Sequence, residues 1–253
     1  ITKCENYTAI TTDGSYNNDW GNSGGICGTN KGGTISECIN YGSMKTQIGE
    51  NGRDRNTGGV CGLNTGDGNN EGLIENCNNQ GQVIANRYAG GICGRNESEI
   101  RDCANHSSVV VYMLGAGGIV GYSAMGSLVQ SSVNNSTISV DIGGLAGGIC
   151  GSENLGEIRA CVNNGDIYGK IIGGIVPDNK YDGVLGQCYN TGRLHSSSTT
   201  AGYGGICAFN SGLIESCYQI GRINDTGSSA WFPPQEDYVT GFFYGRNEST
   251  GYI

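Results

Sequence analysis

Residues Gly147–Gly165 read GGICGSENLGEIRACVNNG, and this stretch decides the fold. It holds two short apolar segments, one around Ile149 and Cys150 and one around Ile158 and Cys161, separated by Gly, Ser, Asn and Glu. Segments this short cannot make helices, and β-branched residues favour strands. The Gly-Gly pair reads as a source of turn conformations with positive φ, and the Asn after the second Cys as a turn residue whose amide bonds nearby backbone.

Working outward, the same two motifs recur along the chain. GGICG stands at Gly24–Gly28, Gly90–Gly94 and Gly147–Gly151, GGVCG at Gly58–Gly62 and GGIVG at Gly117–Gly121. Weaker copies are GGIVP at Gly173–Pro177 and GGICA at Gly204–Ala208. Their starts are 34, 32, 27, 30, 26 and 31 residues apart, which is the mark of a fixed core with variable loops. The second motif is an aliphatic residue, two variable residues, Cys, one residue and Asn. It appears as Ile35–Cys38–Asn40, Ile100–Cys103–Asn105, Ile158–Cys161–Asn163 and Leu185–Cys188–Asn190. Val129–Ser132–Asn134 puts Ser in the Cys slot, and Ile214–Cys217–Gln219 puts Gln in the Asn slot. The spacing does not fit simple strand alternation, so a bend or bulge is expected inside this motif.

One such unit cannot bury its apolar face alone, whereas stacked units can. The expectation is an all-β chain, a β-solenoid of about seven stacked repeats of 26–34 residues. The repeats fill 1–223. Residues 224–253 read as a degenerate terminal repeat, an aromatic cap or a junction. A β-propeller blade needs about 40 residues or more, so these units are too short for one. The chain opens inside the second motif, at Ile1–Cys4–Asn6, and so reads as part of a larger polypeptide.

The combined pattern, GGI-[CV]-G-x-N followed by G-x-I-x-x-C-x-N-x-G-x-I, resembles the GLUG repeat, from Ile1 to about Ile223. Departures fall at Pro177, where the Gly is lost, and after Asp225, where the pattern fades. The resemblance implies a bacterial cell-surface or secreted protein, of adhesin type or an accessory region of an immunoglobulin-A peptidase. In such peptidases it implies that the repeats are not the catalytic part. It therefore implies an extracellular location and a host or cell-surface protein or glycan as partner, without naming that partner.

Composition narrows the function classes. The net charge of −9 disfavours a phosphate backbone and an anionic membrane surface. No run of 18 apolar residues is present to span a bilayer. All 12 cysteines are repeat positions, five in the first motif and seven in the second. None has the close spacing of a metal site, and His106 and His195 lie in different units. No cofactor or metal is expected, and the thiols are expected to be buried and reduced, stacked in two ladders.

Polysaccharide cleavage needs paired carboxylates. The candidates are Asp178 and Asp182 in PDNKYD, where the repeat looks interrupted, whereas Asp141, Glu153 and Asp166 read as solvated surface. These positions read as polar loop and face, so no catalytic residue and no enzyme activity is expected. Ser43–Thr57 carries Lys45, Arg53 and Arg55 and reads as an exposed insertion. Trp231, Phe232 and Tyr238 are the candidate ligand-binding aromatics, though with Phe242, Phe243 and Tyr244 they read first as an end cap.

Overall fold

The computed structural model describes residues 1–12, 21–46, 56–141, 143–197, 202–225 and 244–247. The strands among them are two to five residues long, pair in parallel, and form five sheets of seven or eight strands each. Each sheet takes one strand from every turn of the chain, which makes a β-solenoid. One turn shows the plan: Leu145–Gly147 (face 1), Glu153–Asn154 (face 2), Glu157–Arg159 (face 3), Val162–Asn163 (face 4) and Ile167–Gly169 (face 5). Complete rungs occupy 22–46, 56–85, 88–111, 115–140, 145–169, 171–196 and 203–225, numbered here 1 to 7. Glu5–Asn6 and Ile10–Thr12 precede them on faces 4 and 5, and Tyr244–Asn247 follows on face 2, with Tyr244 in register with Cys207.

The expected bend inside the second motif has a specific form. The residue before the Cys slot of the second motif has a left-handed backbone, with φ of 53° at Glu37, 52° at Asp102 and 50° at Ala160. Lys3, Asn76, Ser131, Gln187 and Ser216 do the same. One residue in this conformation turns the chain between faces 3 and 4, so the aliphatic residue and the Cys three places later both point inward.

The inward residues form two cores. In one, the Ile or Val after Gly-Gly packs with both Cys columns and the face 3 aliphatics, including Ile92, Cys93, Ile100 and Cys103. The second lies between faces 5 and 1, where Val109 and Ile138 meet Ala116 and Ala146. A fully buried Ile contributes roughly 1.5–3 kcal/mol relative to an exposed one, and each full rung adds at least one to these cores.

Two expectations are corrected. The Gly-Gly pairs do not adopt positive φ, which among the described glycines occurs at Gly32, Gly68, Gly126 and Gly143. They are needed for close approach: a Cβ on Gly91 would fall 2.2 Å from the Gly118 carbonyl oxygen and 2.3 Å from the Asn105 amide carbon. The second Gly of one motif thus packs on the Asn of the other, which is why the two recur together. Nor does PDNKYD interrupt the array. Val176–Asn179 is a regular face 2 strand in register with Cys207, Phe209 and Asn210, and only a tight turn, closed by Gly183 N–H to Lys180 O at 2.7 Å, follows it.

Candidate binding surface

The chemistry-bearing residues of the repeat point inward and are structural. All twelve cysteines are free thiols, ten of them buried. On face 4 each thiol donates across the left-handed residue to the carbonyl two positions earlier, at 3.2 Å for Cys38, Cys77 and Cys103. Neighbouring amides donate to the sulfur, as Cys38 N–H does to Cys77 Sγ at 3.5 Å. Ser132 repeats both contacts, donating to Gln130 O at 2.9 Å and accepting from Cys103 N–H at 3.2 Å. The slot therefore needs a small donor and acceptor. On face 2 the thiols donate forward instead, Cys93 to Arg95 O at 3.0 Å. Burial pushes the Cys150 thiol up to about 12 and raises those of Cys38 and Cys207. Protonated, enclosed thiols are poor nucleophiles.

The asparagines form two buried ladders that the sequence reading treated as turn residues. On face 4, Asn40, Asn79, Asn105, Asn134 and Asn163 each donate from Nδ2 to Oδ1 of the next rung, at 2.6–2.9 Å. The second Nδ2 hydrogen goes to the carbonyl two residues on, Gly165 O at 2.8 Å for Asn163. The face 2 ladder runs Asn30, Asn64, Asn96 and, after a break at Ser123, Asn154, Asn179, Asn210. A buried amide is costly unless bonded, so each ladder fixes the rung register.

Two of the carboxylates singled out in the sequence, Asp178 and Glu153, meet a cation rather than one another. Lys180 Nζ lies 2.6 Å from Asp178 and 3.2 Å from Glu153. Burial opposes the Lys180 charge, but these two carboxylates outweigh it and raise its pKa. Asp182 is exposed in the turn beyond, and Asp141 is exposed at the end of a face 5 strand. Arg101 holds Glu75 at 2.7 Å, and Arg159 reaches past Gly186 to Glu215 at 2.7 Å. Among the described residues no group of three or more His, Cys, Asp and Glu is placed to hold a metal ion. Lys45 lies outward on face 5. Arg53, Arg55, Trp231, Phe232, Tyr238, Phe242 and Phe243 lie outside the described residues.

Stacked rings, some exposed and some half-buried, line the outer side of faces 4 and 5. Tyr7 stacks on Tyr41 with centroids 4.7 Å apart, Tyr189 on Tyr218 at 4.9 Å, and Tyr168 on His195 at 4.3 Å. Parallel in-register strands produce such stacks whenever successive rungs carry rings at one outward position. Around Tyr189 the outward residues alternate with inward ones, so Tyr189, Thr191, Arg193 and His195 share one surface. The rungs on either side contribute Tyr168, Tyr218 and Arg222 to it. Sequence reading passed over this surface because its residues are not repeat positions and converge only after stacking.

No family model matches the chain, and no curated protein matches it. Among solved structures it is similar to the 1.30 Å crystal structure of a candidate immunoglobulin A1 protease from Bacteroides ovatus, at 19% identity and a TM-score of 0.50. The alignment covers 96% of this chain and 65% of that one, so this chain spans about two thirds of the neighbour's length. At this identity the likeness is one of fold.

Proposed function

We propose that this chain is a non-catalytic module of a bacterial cell-surface or secreted protein, working outside the cell by binding or spacing. The observation that carries the reading is the division of labour across the rung. The Cys and Asn that could do chemistry are consumed in holding the rungs together, while the outer faces present varied side chains on a rigid rod. The GLUG-like repeat belongs to the same reading. Its partner is a host or cell-surface protein or glycan. The test is to screen the purified chain against glycan and host-protein arrays and to assay the same panel for cleavage. Binding without turnover is the expected result. Hydrolysis lost on Asp178→Asn would overturn it.

A second reading is favoured by the fold likeness to a candidate immunoglobulin A1 protease: an accessory region that positions substrate for a catalytic part elsewhere in the polypeptide. On this reading, deleting the solenoid from the parent protein should raise KM and leave kcat unchanged. A fall in kcat with unchanged KM would count against positioning.

A further inference from the structure

We propose that the outer surface of rungs 5 to 7 on faces 4 and 5 binds a carboxylate-bearing saccharide, held by Arg193 and Arg222 between two aromatic stacks; this rests on the binding-module reading above and gives it a ligand class.

The argument begins with charge. Leu194 N–H donates to Arg222 O at 2.9 Å, and Leu194 lies opposite Ile223, so Arg193 and Arg222 occupy the same outward position on adjacent rungs. Both are exposed. Like charges directly opposite on paired strands are destabilising. Elsewhere the protein neutralises its arginines: Arg95, Arg101 and Arg159 each lie within 2.8 Å of a carboxylate. Arg193 and Arg222 have no ion-pair partner among the described residues, in a chain of net charge −9. The nearest acidic neighbour in the column, Asp166, makes no ion pair with either guanidinium among the described residues. Its Oδ1 accepts the Arg193 backbone N–H at 2.9 Å, and its Oδ2 faces His195 Nε2 at 3.8 Å. Two adjacent guanidiniums with free forks suit a carboxylate, which each can meet through two parallel hydrogen bonds.

The flanks say what carries that carboxylate. Tyr189 and Tyr218 lie at one side of the arginine pair, and Tyr168 and His195 at the other. Tyr218 is 48% exposed; Tyr189 covers one face of its ring, and among the described residues no ring stacks on the other. The face of an aromatic ring is electron-rich and attracts the weakly positive C–H bonds of a sugar ring, while the Tyr hydroxyl can bond sugar hydroxyls. Thr191 and Asn164, hydrogen-bonded to each other at 2.8 Å, add polar groups beside them. A bare inorganic anion would have no use for the rings, and a neutral sugar none for the arginines. On rungs 2 to 4 the positions of Arg193 and Tyr189 are filled by Gln82, Ser108, Thr137 and by Asn78, Ala104, Val133. The site is therefore local to one end of the rod.

The test uses a short oligogalacturonide, its methyl ester as a neutral copy of the same backbone, and a heparin fragment as the sulfated alternative, each titrated against the intact chain. The acid is expected to bind, with the ester about tenfold or more weaker. Arg193→Gln and Arg222→Gln should each weaken the acid by about tenfold, and Tyr218→Ala should weaken acid and ester alike. All three positions are exposed, so unchanged melting confirms that the variants fold. Equal binding of acid and ester, or unchanged binding in both Arg variants, overturns the site. So does binding of the heparin fragment alone. If the chain ignores all three probes but takes another ligand on an array, this site is wrong and the binding-module reading stands.

Discussion

Ser123 lies directly opposite Asn154 on face 2, and the Asn154 side-chain oxygen has no hydrogen-bond partner although it is buried. The other rungs explain why. Asn64 donates to Asn96, and Asn154 to Asn179, each at 2.9 Å, but Ser123 is too short to donate down the column and pairs with Ser127 at 2.9 Å instead. The chain also carries an extra residue between Cys150 and Asn154, compared with Cys93 and Asn96, so the ladder breaks where the strand bulges. Ser123→Asn, with Ser127→Gly to make room, should satisfy the orphan oxygen and stabilise the protein by about 1 kcal/mol. A thermal melt should rise by roughly 2–4 °C. A fall would mean that the bulge, not the missing amide, sets the geometry here.

The intact ladder predicts the opposite sign. Asn134 accepts from Asn105 at 2.8 Å and donates to Asn163 at 2.7 Å and to Ser136 O at 2.8 Å. Asn134→Leu keeps the volume and removes all three. Each polar group left buried without a partner costs about 1–3 kcal/mol, so a loss of roughly 2–4 kcal/mol is expected in urea unfolding. A loss below 1 kcal/mol would show that the ladder is incidental to register.

The two thiol columns should respond differently to the same substitutions. On face 4, Cys77→Ser should be tolerated, because Ser132 already makes the same contacts. Cys77→Val should cost about 1–2 kcal/mol, since it strands the Cys38 N–H. On face 2, Cys150 pairs with Val120, so Cys150→Val should cost under about 1 kcal/mol. The same column predicts alkaline instability. Burial raises Cys150 from an ordinary 9.0 to about 12. Below the lower value both states keep the proton. Between the two the unfolded chain loses it first, so stability falls as pH rises through that window. Melts at pH 8 to 11 should therefore decline less steeply for Cys150→Val than for the parent.

The legible part of the fold was the part written in repeat positions. Ile92, Cys93 and Asn96 recur with their counterparts in other rungs, so stacking, rung count and inward thiols followed from periodicity. Asn misled in part, because its turn preference hid its use as a buried ladder; the ladder exists only between rungs and leaves no mark within one. Gly-Gly misled likewise. Its reason is the Asn105-type amide pressed against it from elsewhere in the rung. The outer site was invisible for the opposite reason: Arg193 and Arg222 are 29 residues apart and occupy no motif slot. Register alone brings them side by side.

The left-handed residue before the Cys slot of the second motif offers the last test. At Ala160 φ is 50°, and its amide donates to Gly186 O at 2.9 Å, so the conformation is held by the next rung. An L-residue here costs about 1–2 kcal/mol because its Cβ crowds the following carbonyl. None of the eight residues so placed is Gly, although Gly would remove that crowding. Gly also gains more freedom in the unfolded chain, which offsets roughly 0.5–1 kcal/mol of the benefit. Ala160→Gly should therefore stabilise by about 0.5–1 kcal/mol. Ala160→Val, whose branched Cβ is worst suited to this region, should destabilise by at least about 2 kcal/mol. Equilibrium unfolding of the two variants beside the parent decides the matter. If Gly weakened the protein as Val does, the bend would owe its shape to Ala160 side-chain packing rather than to backbone strain.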